Sequence, residues 1–598
     1  MKVKVSDYIA NFLSENGITD VFTVTGGGAM HLNDALGHHP KLKCTYNHHE
    51  QACAIAAEGY TRYSGKLAVV CVTSGPGGTN ALTGVLGGWL DSIPMFVLSG
   101  QVKRETTVSS TNLPLRQLGD QEFNIINCVK NMTKYAKMIT EPNEIAYHLE
   151  KALYIALNGR GGPVWLDIPL DVQGSVVETE DLVHFCKNEM VLHEAPKIKK
   201  RTIDEIIEKI KMSKRPLIIA GTGIRLGQAY EEFLRLIENL NIPVVTAWNA
   251  HDVLWNEHRL FCGKPSTVGT RGGNFVVENS DLIISLGCRL NIRQISYNYK
   301  NFAPNAYKII VDIDKAELQK PTLKPDMPIH ADVKDVIEKL LKSKFENKNK
   351  EHKKWLEWCK AVDEKYPACL QRYYEKNKPM NPYAFIDTLF KILPENEPII
   401  CGNGSACVIT FQAANVKKGQ RLFTNSGCAS MGYGFPAAIG VAVNLDGKRV
   451  VCIDGDGSFQ MNLQELQTVV HNNLNLKIII LNNNGYHSIR QTQKNIFSPH
   501  PLIGVSKENG ISFPECEKLA ECYGLKYVKI DDILSAAEKI KTFLDFDGPA
   551  ICEAVVDPTQ NFEPKLSSKV MPDGKIMSPQ LDDMFPFLSR EEYESNKF

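Results

Sequence analysis

The sequence predicts an α/β protein built from three doubly wound parallel-sheet domains. Three observations lead there. Short apolar runs, such as residues 67–73, 216–220 and 449–453, read as strands buried on both faces, the pattern of parallel sheets. Helical periodicity separates them, as from Met461 to Val470, where Leu463, Leu466, Val469 and Val470 recur at helical spacing. Most of these strands end in turns rich in glycine or asparagine, at the sheet edge where open α/β sheets bind ligands. A chain of 598 residues exceeds one domain and allows about three to five.

Composition narrows the function classes. A hydrophobic content of 43% and a charged content of 23% are those of a soluble globular protein. Lys+Arg 68 balances Asp+Glu 68, so no positive excess invites nucleic acid or an anionic membrane surface. The opening Met1-Lys2-Val3-Lys4-Val5-Ser6-Asp7 lacks the apolar core of a signal peptide, and no apolar run reaches a membrane-spanning length of about 20 residues. Sixteen cysteines are scattered, many inside apolar strands (Cys71, Cys452, Cys552), with no C-x-x-C pair. That pattern argues against zinc or a disulfide framework and for reduced thiols in a cytoplasm.

The first domain is expected over 1–175. Ser6 is a good N-cap for a helix that Gly17 ends. A strand at 21–24 closes in Thr25-Gly26-Gly27-Gly28, and Glu50 opens a helix of small residues. A strand over 67–73 delivers Ser74-Gly75-Pro76-Gly77-Gly78-Thr79-Asn80; strands at 94–98 and Pro163–Pro169 follow. Taken alone, Glu50 is a first-turn glutamate favoured by the helix dipole, and His48 and His49 read as a polar rim. The polar, charged stretch 176–200 reads as a linker.

A second α/β domain is expected over 200–340, from the strands Pro216–Ala220, 281–286 and 308–313. On pattern alone its Gly221-Thr222-Gly223 turn is weak ground for a dinucleotide. Residues 342–360, rich in lysine and glutamate with Trp355 and Trp358 on one helical face, read as a helical linker.

The third domain is expected over 379–556, followed by a polar, proline-punctuated tail, 557–598. Its centre is a strand–helix–strand unit. A strand ends in Asp454-Gly455-Asp456-Gly457-Ser458, whose glycines are read as a tight turn, and a second strand at 477–481 ends in Asn482-Asn483-Asn484. The strand ends thus place a carboxylate, an amide and loop carbonyls together, a set that suits Mg²⁺. An ordinary crossover with turn residues at both ends fits the same pattern. Gly404 and Ser405 follow a strand at 398–401 as a phosphate-side loop.

Gly-Asp-Gly with an asparagine pair 27 residues later resembles the binding motif of the thiamine-diphosphate (ThDP) enzymes. HEQA with AEGY, TSGPGGTN and DSIP with SGQ resemble the pyrimidine-binding domain of the acetolactate synthase branch. The resemblance spans nearly the whole chain, to about residue 555. It implies a pyrimidine-binding, a central and a diphosphate-binding domain, in that order. It makes Asp456 and Asn483 side-chain ligands of Mg²⁺, with Gly485 offering its carbonyl. It places Gly26, Gly27, Pro76, Asn80, Gly404, Ser405, Ser430, Gly455, Gly457, Ser458 and Tyr486 on the cofactor, with Met431 as the apolar wedge that bends thiamine. Glu50 becomes the catalytic acid that favours the imino tautomer of the pyrimidine, and Gln121 the active-site glutamine. In this family the central domain binds FAD in a non-oxidative role, which implies flavin contacts at Gly221, Gly269, Thr270, Asp312 and Asp314.

The substrate positions depart from that family. Leu170 stands where it has a lysine, Thr492 where it has a tryptophan, and Gly404-Ser405-Ala406-Cys407 replaces its Gly-Gln-His-Gln; Arg293 keeps the acceptor-carboxylate arginine. The expectation is a homodimeric or homotetrameric carboligase with sites between subunits. It decarboxylates a 2-keto acid, pyruvate first, and transfers the activated aldehyde to an acceptor carbonyl, a keto acid or a ketosugar. A ThDP-dependent lyase or hydrolase cleaving a cyclic or sugar diketone is the alternative.

Overall fold

The computed structural model describes residues 1–190, 195–375, 378–570 and 576–598. Three parallel sheets organise it. The first has six strands in the order Lys43–Tyr46, Asp20–Thr23, Val69–Val72, Met95–Gln101, Pro163–Pro169, Tyr135–Met138. The second has five: Val244–Thr246, Pro216–Ala220, Leu282–Leu286, Tyr307–Asp312, Met327–His330. The third has six: Arg421–Phe423, Pro398–Cys401, Val450–Gly455, Leu476–Asn482, Ala550–Val555, Lys526–Ile530. The first and third share one topology: second, first, third, fourth, sixth, fifth strand.

These two sheets also share one core. The helix Glu50–Ser64 packs against Pro76–Asp91 and against Gly434–Leu445. Glycines make the approach possible. A Cβ on Gly440 would overlap the Ala56 carbonyl, one on Gly59 the Ala437 carbonyl, and one on Gly84 the Ala54 methyl. Polar groups at this junction are paired: buried Arg62 bridges Glu58 and Asp91, and Tyr433 donates to Glu58 at 2.7 Å. Arg421 joins all three sheets, donating to Asp252 at 2.7 Å and to the Tyr63 carbonyl at 2.8 Å.

Local expectations are corrected in four places, and the tail gains a position. The first helix is Val5–Glu15 with Lys4 at its cap position, so Ser6 lies inside it, buried, and caps nothing. Val176–Glu178, expected as linker, pairs antiparallel with Lys2–Lys4; part of the expected linker, 191–194, lies outside the described residues. The helix expected from Met461 to Val470 is broken: Asn462 has non-helical angles, its amide donating to the Gly432 carbonyl at 2.8 Å and to Gln51 at 3.0 Å. The lysine-rich helix Lys350–Lys365 is no free linker, because Trp355 is fully buried in the central core and donates to the Pro216 carbonyl at 2.9 Å. The tail folds back on the central sheet, where Phe598 packs on both Trp355 and Trp358.

All sixteen cysteines are free. Among the described residues no helix is long and apolar enough to cross a membrane.

Candidate active site

In the third sheet, the strands Val450–Gly455 and Leu476–Asn482 pair in parallel, so Asp456 and Asn483 leave neighbouring strand ends together. Asp456 is buried; its two carboxylate oxygens accept from Gly457 N at 2.9 Å and Gly485 N at 2.8 Å. Burial outweighs those donors and raises its pKa to about 6. Asn483 donates through Nδ2 to Ser405 Oγ at 2.9 Å, while its Oδ1 is buried without a partner. A buried amide oxygen with no donor, on the strand next to a desolvated carboxylate, is chemically suited to a cation. Among the described residues no group of three or more His, Cys, Asp or Glu side chains is placed to hold a metal. Oxygen ligands, one carboxylate, one amide and the Gly485 carbonyl, are what the site offers, and they fit Mg²⁺ rather than zinc.

The glycines here answer to space as well as to angle. Gly455 has φ −96°, an ordinary extended value, so the tight turn expected to need glycine's angles is absent at this position. Gly457 is required because a Cβ there would enter the Tyr486 ring. Gly485, at φ 129°, does need glycine, and a Cβ would also strike the Val505 carbonyl. Arg490, which sequence reasoning passed over as a site residue, clamps this loop by donating to the carbonyls of Asn483 at 3.1 Å and Asn484 at 2.5 Å. Its only signal in sequence was proximity to the asparagines.

Around this centre stand the other residues the sequence singled out. Gly404, at φ 71°, turns the chain into the helix Ser405–Ala413, whose first residue is the hydroxyl partner of Asn483. Ser458 Oγ accepts from Gly432 N at 2.9 Å, and Ser430 Oγ accepts from Asn425 at 2.9 Å. Met431, between them, is 44% exposed, an apolar side chain held out of the core. Behind it Asp454 is fully buried, lacks a partner for Oδ2 and is pushed by burial to about 7.

In the first sheet, Glu50 is half-buried at the start of its helix, and its Oε2 accepts from Asn80 Nδ2 at 3.0 Å. His49 caps that helix through Nδ1 and Gln51 N at 3.0 Å, a structural role. Gly75, at φ 59°, precedes Pro76 at the first turn of Pro76–Asp91; a Cβ there would meet the Gln121 carbonyl, so the Gln121 loop lies against it. Gln121 itself has φ 60°, a strained setting for a residue with a side chain. Gly26, with its N–H donating to Asn33, and Gly27 complete this rim.

Two bonds tie the Glu50 helix to the Met431 loop. Gln51 accepts from Asn462, and the same amide donates to Gly432 O. Glu465, fully buried, accepts from Asn47 Nδ2 at 2.9 Å and His48 N at 3.0 Å. The substrate candidates lie on three different sheets' elements. Leu170 starts a short helix after the first sheet. Arg293 lies over the Trp248 ring at 5.2 Å, and Thr492 is exposed on the helix His487–Phe497.

The residues expected at a flavin make contacts within the protein. A Cβ on Gly221 or Gly223 would overlap Gly287, so the two turns touch backbone to backbone. Asp314 pairs with Arg160 at 2.9 Å, and Asp312 accepts from Asp314 N at 2.9 Å. Thr270 caps the helix Arg271–Asn279, and Gly269 abuts the Lys264 carbonyl. The tail then covers this helix, with Arg271 and Asn274 donating to the carbonyls of Met584 at 3.2 Å and Leu581 at 2.9 Å.

Three family profiles match the chain: the N-terminal TPP binding domain of thiamine pyrophosphate enzymes over residues 3–126, their central domain over 203–340, and their C-terminal TPP binding domain over 402–554. The acetolactate synthase large subunit of Lactococcus lactis is 31% identical, over 96% of this chain and 96% of its own length. A probable acetolactate synthase large subunit of Methanococcus aeolicus is 32% identical over 93% and 92%. Isozyme 1 of Escherichia coli is 29% identical over 94% and 95%. With the two parallel strand ends, the Asp456–Asn483 pair and the Glu50 helix already in place, these similarities over nearly the full length settle the family: the chain belongs to the thiamine pyrophosphate enzymes, among the relatives of the acetolactate synthase large subunit.

Proposed function

We propose that the protein is a ThDP- and Mg²⁺-dependent carboligase that decarboxylates a 2-keto acid, pyruvate first, and transfers the remaining unit to the carbonyl of an acceptor. The observation that carries this reading is the buried, unpartnered Oδ1 of Asn483 beside the desolvated Asp456. Asp456, Asn483 and the Gly485 carbonyl would hold Mg²⁺, which neutralises the diphosphate. The bound coenzyme supplies the electron sink that makes loss of CO₂ from a 2-keto acid feasible.

The chain's own residues do the rest. Glu50 keeps a carboxyl at the site mouth, aimed by Asn80, able to hold and return a proton at Oε2. Met431 presents an apolar surface against which a bent ligand rests. Gln121, on its strained loop, offers an amide for the acceptor's oxygens. Arg293 provides the positive charge for an acceptor carboxylate, steered by the Trp248 face. Leu170 and Thr492, smaller or less polar than their family counterparts, leave room for a bulkier acceptor such as a ketosugar.

The reading includes a homodimer or homotetramer in the cytoplasm, with sites completed between copies. Its support is the apolar surface flanking the site: Leu113, Leu115 and Leu118 on one loop, Ile496 and Phe497 on the helix of Thr492, all exposed. FAD in the central domain stays part of this reading as what the family resemblance implies, at Gly221, Gly269, Thr270, Asp312 and Asp314. No step passes through a flavin.

The test is to incubate the purified protein with pyruvate, ThDP and Mg²⁺ and follow CO₂ release, then screen keto acids and ketosugars as acceptors. Release that depends on ThDP and rises with an acceptor supports the reading. Absence of release with turnover of a diketone overturns it. Visible absorbance of the same sample in the flavin bands supports bound FAD, and its absence overturns that part of the reading alone.

A further inference from the structure

The loop that carries Met431 belongs to the third domain, yet two of its fastenings come from the first. Four residues ahead of Met431, Gly427 N donates to Asp91 Oδ1 at 2.8 Å. A Cβ at position 427 would strike that same oxygen, so glycine is what lets the carboxylate approach. Two residues after Met431, the Tyr433 hydroxyl donates to Glu58 Oε2 at 2.7 Å. The other oxygens of both carboxylates converge on one guanidinium. Arg62 donates from Nε to Glu58 Oε1 at 2.9 Å and from Nη2 to Asp91 Oδ2 at 2.7 Å. Tyr433 and the Glu58, Arg62 and Asp91 side chains are all buried.

Buried carboxylates are tolerated only while their oxygens are met. Asp91 ends the helix Pro76–Asp91, where the helix dipole disfavours a negative charge, and Arg62 is what offsets it. Arg62 meets one oxygen of each carboxylate; the Met431 loop meets the other. The loop therefore completes the first domain's hydrogen bonding, and those carboxylates set where the loop runs. Between the two fastenings the backbone is committed. Ala429, at φ 53°, and Gly432, at φ 81°, are left-handed, and Gly432 is held on both sides, its N–H by Ser458 and its carbonyl by Asn462. At 44% exposed, Met431 is not seated in a core, so the backbone around it sets its height.

We propose that Tyr433 is a positioning residue: its hydroxyl, bonded to Glu58 in the cluster around Arg62, sets the height of Met431 against the thiamine half of the cofactor. This rests on the ThDP reading above, in which Met431 is the surface a bent ligand rests on. In that reading the diphosphate is held through Mg²⁺ at Asp456, Asn483 and Gly485. A fault confined to Met431 thus weakens ThDP and spares inorganic pyrophosphate.

The test is a double-mutant cycle read by calorimetry, with no turnover involved. Wild type, Tyr433→Phe, Met431→Ala and the double variant are titrated with ThDP and, separately, with inorganic pyrophosphate, each with excess Mg²⁺. Tyr433→Phe removes one hydroxyl and keeps the buried ring. The expected result is about tenfold weaker ThDP binding in Tyr433→Phe, the size of one hydrogen bond to a charged group, with pyrophosphate affinity unchanged. In the Met431→Ala background the same substitution should cost nothing further, because the side chain it positions is gone. Thermal unfolding of the four proteins without ligand checks that each is folded. Equal ThDP affinities in wild type and Tyr433→Phe overturn the proposal. So does an equal loss for pyrophosphate, or a full loss that persists in the Met431→Ala background, since either marks a hydroxyl that serves the fold alone. Those results leave the ThDP reading standing. Failure of the wild type to bind ThDP overturns that reading, and the proposal with it.

Discussion

Asn483 Nδ2 donates to Ser405 Oγ at 2.9 Å, and the same geometry leaves Asn483 Oδ1 buried with no donor in reach. The amide is thus pinned in the rotamer that presents oxygen to the strand-end loop. An unmet buried acceptor costs about 1–3 kcal/mol. Asn483→Leu removes that acceptor. We expect it to unfold at the wild-type temperature or slightly above without ligands, and to lose the additional stabilisation that Mg²⁺ with ThDP gives the wild type. Differential scanning calorimetry with and without the two ligands measures both. A variant that keeps the full ligand-induced shift would remove Asn483 from the metal site.

Asp456 makes the metal site pH-dependent in a stated direction. Burial raises its pKa to about 6 in the metal-free chain, and a carboxyl must lose its proton to bind a cation. Mg²⁺ affinity should therefore be nearly flat above pH 7 and fall as pH drops through 6, by up to about tenfold per unit. Without metal the sign reverses: a raised carboxyl pKa stabilises the fold at low pH, and that contribution is lost as pH rises through 6. Asp456→Asn should flatten both profiles, as titration calorimetry from pH 5 to 8 would record.

Glu50→Gln keeps the shape of the side chain and a group that Asn80 can still reach, but no longer carries a proton to exchange. Turnover should fall by at least about a hundredfold, the lower end of what a positioned acid contributes. Affinity for ThDP should change little. Steady-state kinetics beside calorimetry separates the two, and unchanged turnover would rule out the assigned role.

Glu278 is a test of stability away from the site. It is buried in the central core and accepts from Ala303 N at 3.2 Å; burial, then the nearby Asp582, push it up to about 8. With its folded pKa above the unfolded value, it stabilises fully below pH 4.5, and that contribution is lost as pH rises through 8. Glu278→Gln should be close to wild type at pH 4.5 and more stable at pH 9, by on the order of 3 kcal/mol. Urea unfolding at the two pH values gives the difference directly.

Much of the site was legible because its signals are local. Asp456, Asn483 and Gly485 sit at strand ends whose apolar runs are short and unbroken, and Glu50 opens a helix of small residues. The rest was hidden for a common reason. Arg490 matters through carbonyls six and seven residues back, in the loop ahead of its own helix. Ser6 has the side chain of a cap, but the chain already turns helical at Val5.

The sequence alone determined three parallel sheets, their order along the chain and the chemistry gathered at their strand ends, since hydrophobic period and turn residues act over a few neighbours. Tertiary structure decided what those residues face. Gly457 is glycine because Tyr486 occupies the space; Asn462 breaks its helix to hold Gln51 and Gly432; the tail covers Arg271 and Asn274. Each of these joins residues from about 30 to more than 400 positions apart, and contacts over such distances leave no periodicity for a linear reading to find.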